Sequence, residues 1–453
     1  MRIISLYFHF ILLILLSSIL SDTKKYNKKI NTNIENQISS ILKWAKTNNI
    51  YIHKNLVLNK NTDYSHNFFY FTSNASIPNN TILLKIPYNI MISQNLLDNH
   101  FHEIKSKRWS PLWEEIVKNK NPYINDFLIK QIFYISIIIE NAIRRKKGSI
   151  YKKYESYFDM YDYINMDNFP LFYEEDEISF LSLSSFGSEL YKSSESLKEE
   201  FNIINKHLNI SKPIYDNYLK YRVLTLANSI SFDNIDLDND YNETAVVPFI
   251  DCFKKVISDK SAMAEYFIKK DKNDNYYLEI RAIKKIKKDK EIKLKWLKLS
   301  NQDSLLFYGF IEKGNEYAPG FYVDVFNNLF KKDLGVDTKK SFKGIIKRDS
   351  YELNSEIFDS KIIQTYKKLS MQFDKYKNKK EGKYEMMKDN LNYYYKIYDD
   401  KFTDENIKLY IRNDSKRKII KELLKMEKKI IQNKIEYLNT IIQDINNKKS
   451  NDL

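Results

Sequence analysis

Cysteine, glycine, proline and histidine are all scarce in this chain of 453 residues. Cys252 is the one cysteine, which excludes an intramolecular disulfide framework and a cysteine-rich zinc site. The six histidines show no zinc-finger spacing and no RNP motif is present, so no nucleic-acid-reading module is predicted. Glycine and proline number 8 each beside abundant Lys, Asn, Ile and Tyr, a bias typical of an A+T-rich genome. No metal site is predicted.

The remaining composition is that of a globular protein of two or three domains, with 43% hydrophobic residues. The net charge of +15 is spread through helical-looking stretches. This pattern favours lysine as an ordinary surface residue over an acidic partner, and nucleic-acid binding is not favoured. Cys252 lies in the apolar run Val246–Phe253. A buried small hydrophobe is therefore favoured over a nucleophile.

The first residues predict entry into the secretory pathway. Met1 and Arg2 precede an apolar run from Ile3 to Leu20, and small residues gather at its end. Residues 1–21 are therefore expected to form a signal peptide, with a membrane anchor as the alternative. Residues 22–37 are basic and poor in acid, which fits either a plastid transit sequence or a disordered tether. Onward transport to a plastid, secretion and endomembrane residence all stay open, and membrane contact is expected only if residues 1–21 are not cleaved.

A second apolar run, Leu128–Ile143, is short for a membrane span and contains Lys130 and Glu140. It ends in a basic cluster followed by Gly148. These features predict a buried helix with a glycine stop.

Short extended patterns flank a long helical region. Strands are predicted in four places: Phe68–Thr72, Thr81–Pro87, Ala245–Ile250 and Tyr276–Ile280. A charged hairpin-like loop, Lys269–Asn275, is predicted just before the last of them. Helices are predicted at Ile41–Lys46, through most of residues 93–235, and from about residue 330 to the end. In the last segment, Ile419–Ile445, apolar residues form two adjacent helical rows, with Asp414 or Ser415 as the expected N-cap.

Four stretches, in order, resemble one known family. They are Ile77–Pro87 (IPNNTILLKIP), Asn168–Glu175 (NFPLFYEE), Ala245–Asp251 (AVVPFID) and Leu299–Phe310 (LSNQDSLLFYGF). Ser229 and Phe232 fit a further short element upstream of the third stretch. Together these stretches are similar to those of the Rubisco large-subunit methyltransferase-like SET-domain proteins.

The resemblance implies an α+β fold in which a β-rich SET domain, residues 38–330, is interrupted by a helical insertion at about 93–235. An all-helical domain, residues 331–453, is expected to follow. The implied function is protein-lysine N-methylation with S-adenosylmethionine as cofactor, on a protein substrate held by the helical domain. The alternative is a non-catalytic SET-like module that binds a protein partner, and nucleic-acid binding through the basic surface is a third reading.

The resemblance also implies the site residues. Tyr308 matches the tyrosine that lines the family's lysine channel, with a core aromatic as its other reading. Asp251 and Asn301 are expected to support either the site or the fold, since buried polar groups usually satisfy backbone groups.

The positions on the methyl-donor side are diverged. Counting from the four stretches places these residues against motifs of the family. Phe68 and Tyr70 stand where the family has the glycines of a Gly-x-Gly element, and Ser229 and Ile230 stand at its Ser-Arg pair. Lys254 and Lys255 stand at its Asn-His pair, and Trp296 and Leu297 at its Tyr-Gly pair. Two aromatics would crowd a backbone cradle that glycine normally provides. Lys254 offers a replacement positive charge, and Trp296 a face for adenine. The divergence predicts weak or lost methyl transfer.

Overall fold

The computed structural model describes residues 35–60, 69–93, 150–161, 164–208, 215–231, 244–273, 275–313, 315, 321–324, 350–353, 358 and 360–451. The predicted signal peptide, the run Leu128–Ile143, Phe68 and Phe232 lie outside these residues. Within them, strands and helices combine as the sequence predicts, and the α+β class is confirmed. No helix in this part of the chain is long and apolar enough to cross a membrane.

Thirteen strands are present in the described ranges. They are β1 Tyr51–Ile52, β2 Leu56–Lys60, β3 Phe69–Ser73, β4 Ile82–Pro87, β5 Ile92–Ser93, β6 Ser229–Ser231, β7 Thr244–Val246, β8 Lys254–Val256, β9 Ala264–Lys270, β10 Tyr276–Ala282, β11 Lys293–Lys295, β12 Phe321–Asp324 and β13 Ser350–Leu353. The largest sheet has the order β1-β4-β10-β9-β11-β8, and smaller sheets pair β2 with β3, β5-β7-β6, and β12 with β13.

The largest sheet contains two of the four predicted strands, β4 and β10, paired antiparallel. The apolar side chains at the centre of both strands face the core, and Leu84, Ile86 and Ile280 are fully buried. The β9–β10 hairpin turns at the charged loop that the sequence predicts, where the Asp271 carboxylate accepts the N–H groups of Asn273 and Asn275. The predicted strands at Phe68–Thr72, Thr81–Pro87 and Tyr276–Ile280 are confirmed apart from their ends.

The fourth predicted strand, Ala245–Ile250, is wrong in its second half. Strand β7 ends at Val246, and the chain turns through Phe249, whose φ of 67° is left-handed. A short 3-10 helix, Ile250–Cys252, follows. Pro248 has no N–H group to donate to a sheet, which explains why an apolar run that resembles a strand ends here. The turn directs Asp251 into the protein interior, where it is buried.

Ten helices lie in the described ranges. They are α1 at residues 35–47, α2 Ile150–Phe158, α3 Glu175–Leu181, α4 Ser185–Leu208, α5 Tyr215–Ala227, α6 Asn301–Tyr308, α7 Ser360–Ser370, α8 Gly382–Lys401, α9 Asp404–Tyr410 and α10 Asp414–Asn451. Helices α2–α5 belong to the predicted insertion. The expectation of helix alone beyond residue 330 is wrong at Ser350–Leu353, because this segment pairs with Phe321–Asp324.

Helix α10 has the broad apolar face that its sequence predicts. Ile420, Leu423, Leu424 and Ile431 are buried, and the neighbouring apolar residues of the second row pack against the same core. Its N-cap is Asn413 rather than Asp414 or Ser415, because the Asn413 Oδ1 accepts the N–H groups of Ser415 and Lys416.

The C-terminal helices are joined to the rest of the fold through Glu427 of α10, which is fully buried. Its carboxylate accepts hydrogen bonds from Tyr398 of α8 (2.5 Å), from Gln302 of α6, and from the Phe186 N–H of α4 (2.9 Å). A second buried contact, Lys416 to Glu177 at 3.0 Å, joins α10 to α3. The Glu427 carboxylate thus holds α4, α6, α8 and α10 together, and these helices belong to two predicted domains.

Replacing Glu427 by Gln tests this junction. Burial raises the pKa of Glu427 from 4.5 to about 7. The unfolded chain loses this proton near pH 4.5 and the folded chain only near pH 7. The free energy of unfolding therefore falls by about 3 kcal/mol as the pH rises from below 4.5 to above 7. Glu427→Gln keeps the acceptor oxygen but has no such titration. We expect the fall in the free energy of unfolding between pH 4.5 and 8 to be about 3 kcal/mol smaller in the variant.

Urea denaturation at several pH values measures this difference. Glu436→Gln is the matched control, since Glu436 lies on the same helix and is exposed. An unchanged pH profile in Glu427→Gln would contradict the prediction.

Candidate functional site

Helix α6 holds Tyr308 at a fixed place in the fold. The Ser300 Oγ caps its start by accepting the Asp303 N–H at 3.0 Å. Gly309 ends it with a φ of 72°, and a Cβ there would lie 3.2 Å from the ring of Phe169. Both the left-handed backbone and the close approach therefore require glycine. The second and fourth family-like stretches meet at this point, beside Tyr308.

Asn301 holds the segment that follows Gly309. Its side chain donates to the Glu312 carbonyl at 3.1 Å and accepts the Glu312 N–H at 3.0 Å. The Glu312 carboxylate in turn accepts the N–H groups of Ile257 and Ser258 and the hydroxyl of Ser261. Asn301 therefore supports the fold, and through Glu312 it also fixes the loop after β8.

The buried carboxylate of Asp251 ends a chain of hydrogen bonds. Tyr157 donates to Asp251 Oδ2 at 3.1 Å, and the Tyr161 hydroxyl lies 3.1 Å from that of Tyr157. Asn228 donates its Nδ2 to Tyr161 at 3.2 Å. Burial raises the pKa of Asp251 to about 6, while Lys255 and the Tyr157 hydroxyl oppose this shift. The carboxylate is thus ionised at neutral pH, and Tyr157 and Lys255 stabilise the charge.

The ammonium of Lys255 lies at the other end of the same chain. It donates to Asn228 Oδ1 at 2.9 Å and to the Ala227 carbonyl at 2.6 Å. It also lies 4.7 Å from the ring centre of Trp296 and 5.5 Å from that of Tyr308. The residue as a whole is partly exposed, but its ammonium is enclosed. Burial lowers the pKa of Lys255 to about 8, and Asp251 opposes the shift.

Hydrogen bonds therefore run in one direction from the ammonium of Lys255 to the carboxylate of Asp251. Tyr157 has one O–H group, which it donates to Asp251, so Tyr161 is the donor in the bond between the two tyrosines. Each intermediate group, Asn228, Tyr161 and then Tyr157, therefore accepts from the cation side and donates toward the anion. Bonds aligned in this way polarise one another and strengthen the whole chain. Two charges that are expensive to bury separately are thus connected across the protein interior.

Three members of this hydrogen-bond chain, Lys255, Asn228 and Asp251, border a cavity of about 260 Å³. Its polar and charged lining consists of Asn228, Asp251, Lys254, Lys255, Ser261, Lys293, Tyr308, Glu312 and Lys313. Four lysines against two carboxylates give the lining a net positive charge. A second cavity, of about 420 Å³, is enclosed by α4, α5 and α6 and includes Glu189, Lys192, Glu200, Arg222 and Asp303. Tyr308 is the residue that lines both.

The structure brings together four of the residues that the resemblance implicates. Asp251, Lys254, Lys255 and Tyr308 line the first cavity. Trp296 is 4% exposed and contacts Lys255 and Tyr308 without lining that cavity. Its ring is covered by Lys255, Tyr266 and Tyr308, so no open face is left for adenine.

The other implicated positions lie apart from the cavity lining. Ser229 follows Asn228 and donates to the Thr225 carbonyl at 2.7 Å. Ile230 is buried in the core. Tyr70 is in strand β3 beside the buried Phe69, and Phe68 is outside the described residues. Lys254, which the sequence offers as a replacement positive charge, forms a partly exposed ion pair with Glu291 at 3.6 Å.

Sequence reasoning missed Asn228, Tyr157 and Tyr161. Asn228 directly precedes the Ser229 element, so its position offered a signal. Tyr157 and Tyr161 are four residues apart, the spacing that places side chains on one helix face. Their contact with Asp251, 94 positions away from Tyr157, has no signature in the local sequence.

No protein-family model matches this chain, and no curated protein matches it by sequence. Solved structures match its fold. The SET domain of LSMT bound to lysine and AdoHcy has a TM-score of 0.58 at 14% identity, covering 91% of this chain and 92% of that one. Rubisco LSMT bound to AdoMet has a TM-score of 0.55 at 13% identity, covering 90% and 93%. Rubisco LSMT bound to sinefungin and monomethyllysine has 0.54 at 14%, with the same coverage. The chain therefore has the fold of these SET-domain proteins, and the resemblance in the four stretches is confirmed for the fold.

Removing the Tyr157 hydroxyl tests the hydrogen-bond chain. Tyr157→Phe takes away the donor that lowers the pKa of Asp251, so this pKa should rise above about 6. The free energy of unfolding at pH 7 should fall by about 1.5–3 kcal/mol, as for a lost hydrogen bond to a charged group. Carbon-13 NMR of the Asp side chains and urea denaturation measure the two effects.

Tyr154→Phe serves as the control on the same helix, because the Tyr154 hydroxyl is buried and has no hydrogen-bond partner in the described residues. Equal effects of the two substitutions would contradict the hydrogen-bond chain between Lys255 and Asp251.

Proposed function

We propose that the chain is a SET-type protein-lysine N-methyltransferase that uses S-adenosylmethionine and acts on a lysine of another protein. The observation that carries the proposal is that two separate cavities meet at Tyr308. In-line methyl transfer needs a donor and an acceptor that reach one point by different routes, and catalysis then consists largely of positioning. The fold supports the same class, since its solved neighbours are described with AdoMet or AdoHcy and with lysine.

The second cavity suits the lysine of a substrate. Glu200 pairs with Arg222 and Glu189 with Lys192, both at 3.0 Å. Asp303 then leaves the lining with one excess negative charge, which favours an entering ammonium. Apolar side chains, among them Leu197, Leu226 and Phe307, can pack along the lysine methylenes.

The first cavity suits the donor only in part. S-adenosylmethionine carries a carboxylate, an amine and a positive sulfonium. The lysines of the lining suit the carboxylate. The cation acceptors, namely the Ala227 carbonyl, Asn228 Oδ1 and the two aromatic rings, suit a sulfonium, but the Lys255 ammonium already occupies them. While the protonated Lys255 is in this position, the residues do not fit the donor.

We further propose that residues 331–453 hold the protein substrate, and that the protein acts after entry into the secretory pathway. The C-terminal helices and their connections expose apolar side chains, among them Met371 after α7 and Leu409 in α9, that are available to a partner. A substrate in chromatin is disfavoured by that route, because the chain is diverted from the nucleus.

A non-catalytic protein-binding module is the second candidate function. The observation that favours it is the same occupation of the cation acceptors by Lys255. Ile230, at one diverged donor position, is a core residue, so its substitution is accounted for by packing alone.

Donor binding and methyl transfer decide between the two functions. Titration calorimetry with S-adenosylmethionine should show tighter binding at pH 9 than at pH 7, because burial lowers the pKa of Lys255 to about 8 and its amine is mostly neutral at pH 9. Methyl transfer to lysine peptides should fall about 100-fold in Tyr308→Phe, the loss typical of one removed positioning hydroxyl. Tyr51→Phe, an exposed tyrosine of β1 that lines neither cavity, should leave the rate unchanged. No binding at millimolar donor at either pH would exclude the enzyme and leave the binding module.

A further inference from the structure

We propose that the Ala227 carbonyl, Asn228 Oδ1 and the rings of Trp296 and Tyr308 form a binding site for a small organic cation, and that Lys255 is its built-in occupant. Removing the Lys255 ammonium would open this site to a sulfonium or a methylated ammonium ion. One part of this inference rests on the proposed function, namely that the sulfonium of the methyl donor is the natural ligand. The site itself rests on the contacts of Lys255.

The oxygen side of the site is provided by the end of helix α5. Ala227 is the last residue of this helix, and the carbonyl groups of a final helical turn lack partners within the helix. They also carry the partial negative charge of the helix dipole. The Ala227 carbonyl accepts from Lys255 at 2.6 Å, and the Asn228 side chain adds a second oxygen at 2.9 Å. A cation is thus stabilised here by the helix end itself.

The aromatic side of the site consists of two rings at a steep angle. Trp296 and Tyr308 have ring centres 5.8 Å apart and planes inclined by 74°. The Lys255 ammonium lies 4.7 Å and 5.5 Å from the two centres, within the range of a cation–π contact. Aromatic walls of this kind are the usual recognition elements for methylated ammonium ions.

The charges around the site limit it to one cation. The facing titratable groups are Asp251 and Cys252 in the turn, Lys254 in β8, Lys293 in β11, Tyr308 in α6, Glu312 and Lys313 after α6, and Tyr161 after α2. The Glu312 carboxylate is taken up by backbone N–H groups of the loop after β8, and Lys254 pairs with Glu291. Asp251 is the anion that stabilises Lys255. A second cation beside a protonated Lys255 would meet repulsion with no acceptor left for it.

Occupation by Lys255 therefore depends on pH. Because burial lowers the pKa of Lys255 to about 8, the amine is mostly protonated at pH 7 and mostly neutral at pH 9. The neutral amine no longer repels an incoming cation and competes less for the oxygens. Entry of a cationic ligand should accordingly become easier across this range.

Trimethylsulfonium is a suitable probe, because it carries the sulfonium charge without the rest of a methyl donor. At pH 7 we expect Lys255→Ala to bind it at least about 10-fold more tightly than the wild-type chain does, as measured by calorimetry or by NMR titration of the probe. Lys288→Ala is the charge-matched control, because Lys288 is exposed and lines neither cavity, and it should bind like the wild type. Binding by a folded Lys255→Ala that is no tighter than that of Lys288→Ala would overturn the proposal.

A measurement on the wild-type chain covers the case in which Lys255→Ala fails to fold. Its affinity for trimethylsulfonium should rise about 10-fold from pH 7 to pH 9, following the loss of the proton from Lys255. Affinity that does not change over this range would overturn the proposal as well.

Neither measurement uses a methyl donor. Tight trimethylsulfonium binding without binding of S-adenosylmethionine would keep this cation site and reject the enzyme. Methyl transfer by a chain in which neither Lys255→Ala nor the pH changes trimethylsulfonium binding would support the enzyme and reject this cation site.

Discussion

Enclosing one ammonium is the constraint around which the centre of this protein is organised. A buried cation is costly unless oxygen atoms and aromatic faces replace its water. The Lys255 ammonium is provided with both, and each acceptor comes from a different element: the end of α5, the segment before α6, and α6 itself. Any shift of α5 against α6 would separate these acceptors. The charge therefore couples the helical insertion to the β-rich part of the fold.

The hydrogen-bond chain from Lys255 to Asp251 extends this coupling to α2. Asp251 reaches the interior only because β7 ends early and the chain turns at Phe249 with a left-handed φ of 67°. Such a conformation is costly for a bulky residue, and the full burial of its ring compensates for the cost. A longer strand, as the apolar run suggests, would place Asp251 elsewhere and leave the cation without its anion.

The sequence predicted the parts of this arrangement that local chemistry determines. Strands β4 and β10, the loop between β9 and β10, and the apolar rows of α10 follow from alternation, turn residues and helical period. Four family-like stretches predicted the fold and placed Asp251, Lys255 and Tyr308 in one site. The contacts of Tyr157, Tyr161 and Asn228 were beyond prediction, because they join residues distant in the chain. So was the Asn413 cap, since three adjacent residues suit that position equally well by type.

Position 255 affects the charge of the site more than the other diverged positions do, but its sequence gives little indication of this. Lysine at 255, where the family pattern has histidine, reads as one more substitution in a lysine-rich chain. In the folded protein it adds a positive charge at the place where a cationic donor would need acceptors. A shared fold does not determine chemistry, because function depends on the groups at the site. In the proposed cation site, the protonation of Lys255 decides between a site that is open to a cation and a site that is already filled. Under that proposal, this protonation governs the entry of a cationic ligand more than the substitutions at the Gly-x-Gly and Ser-Arg positions do.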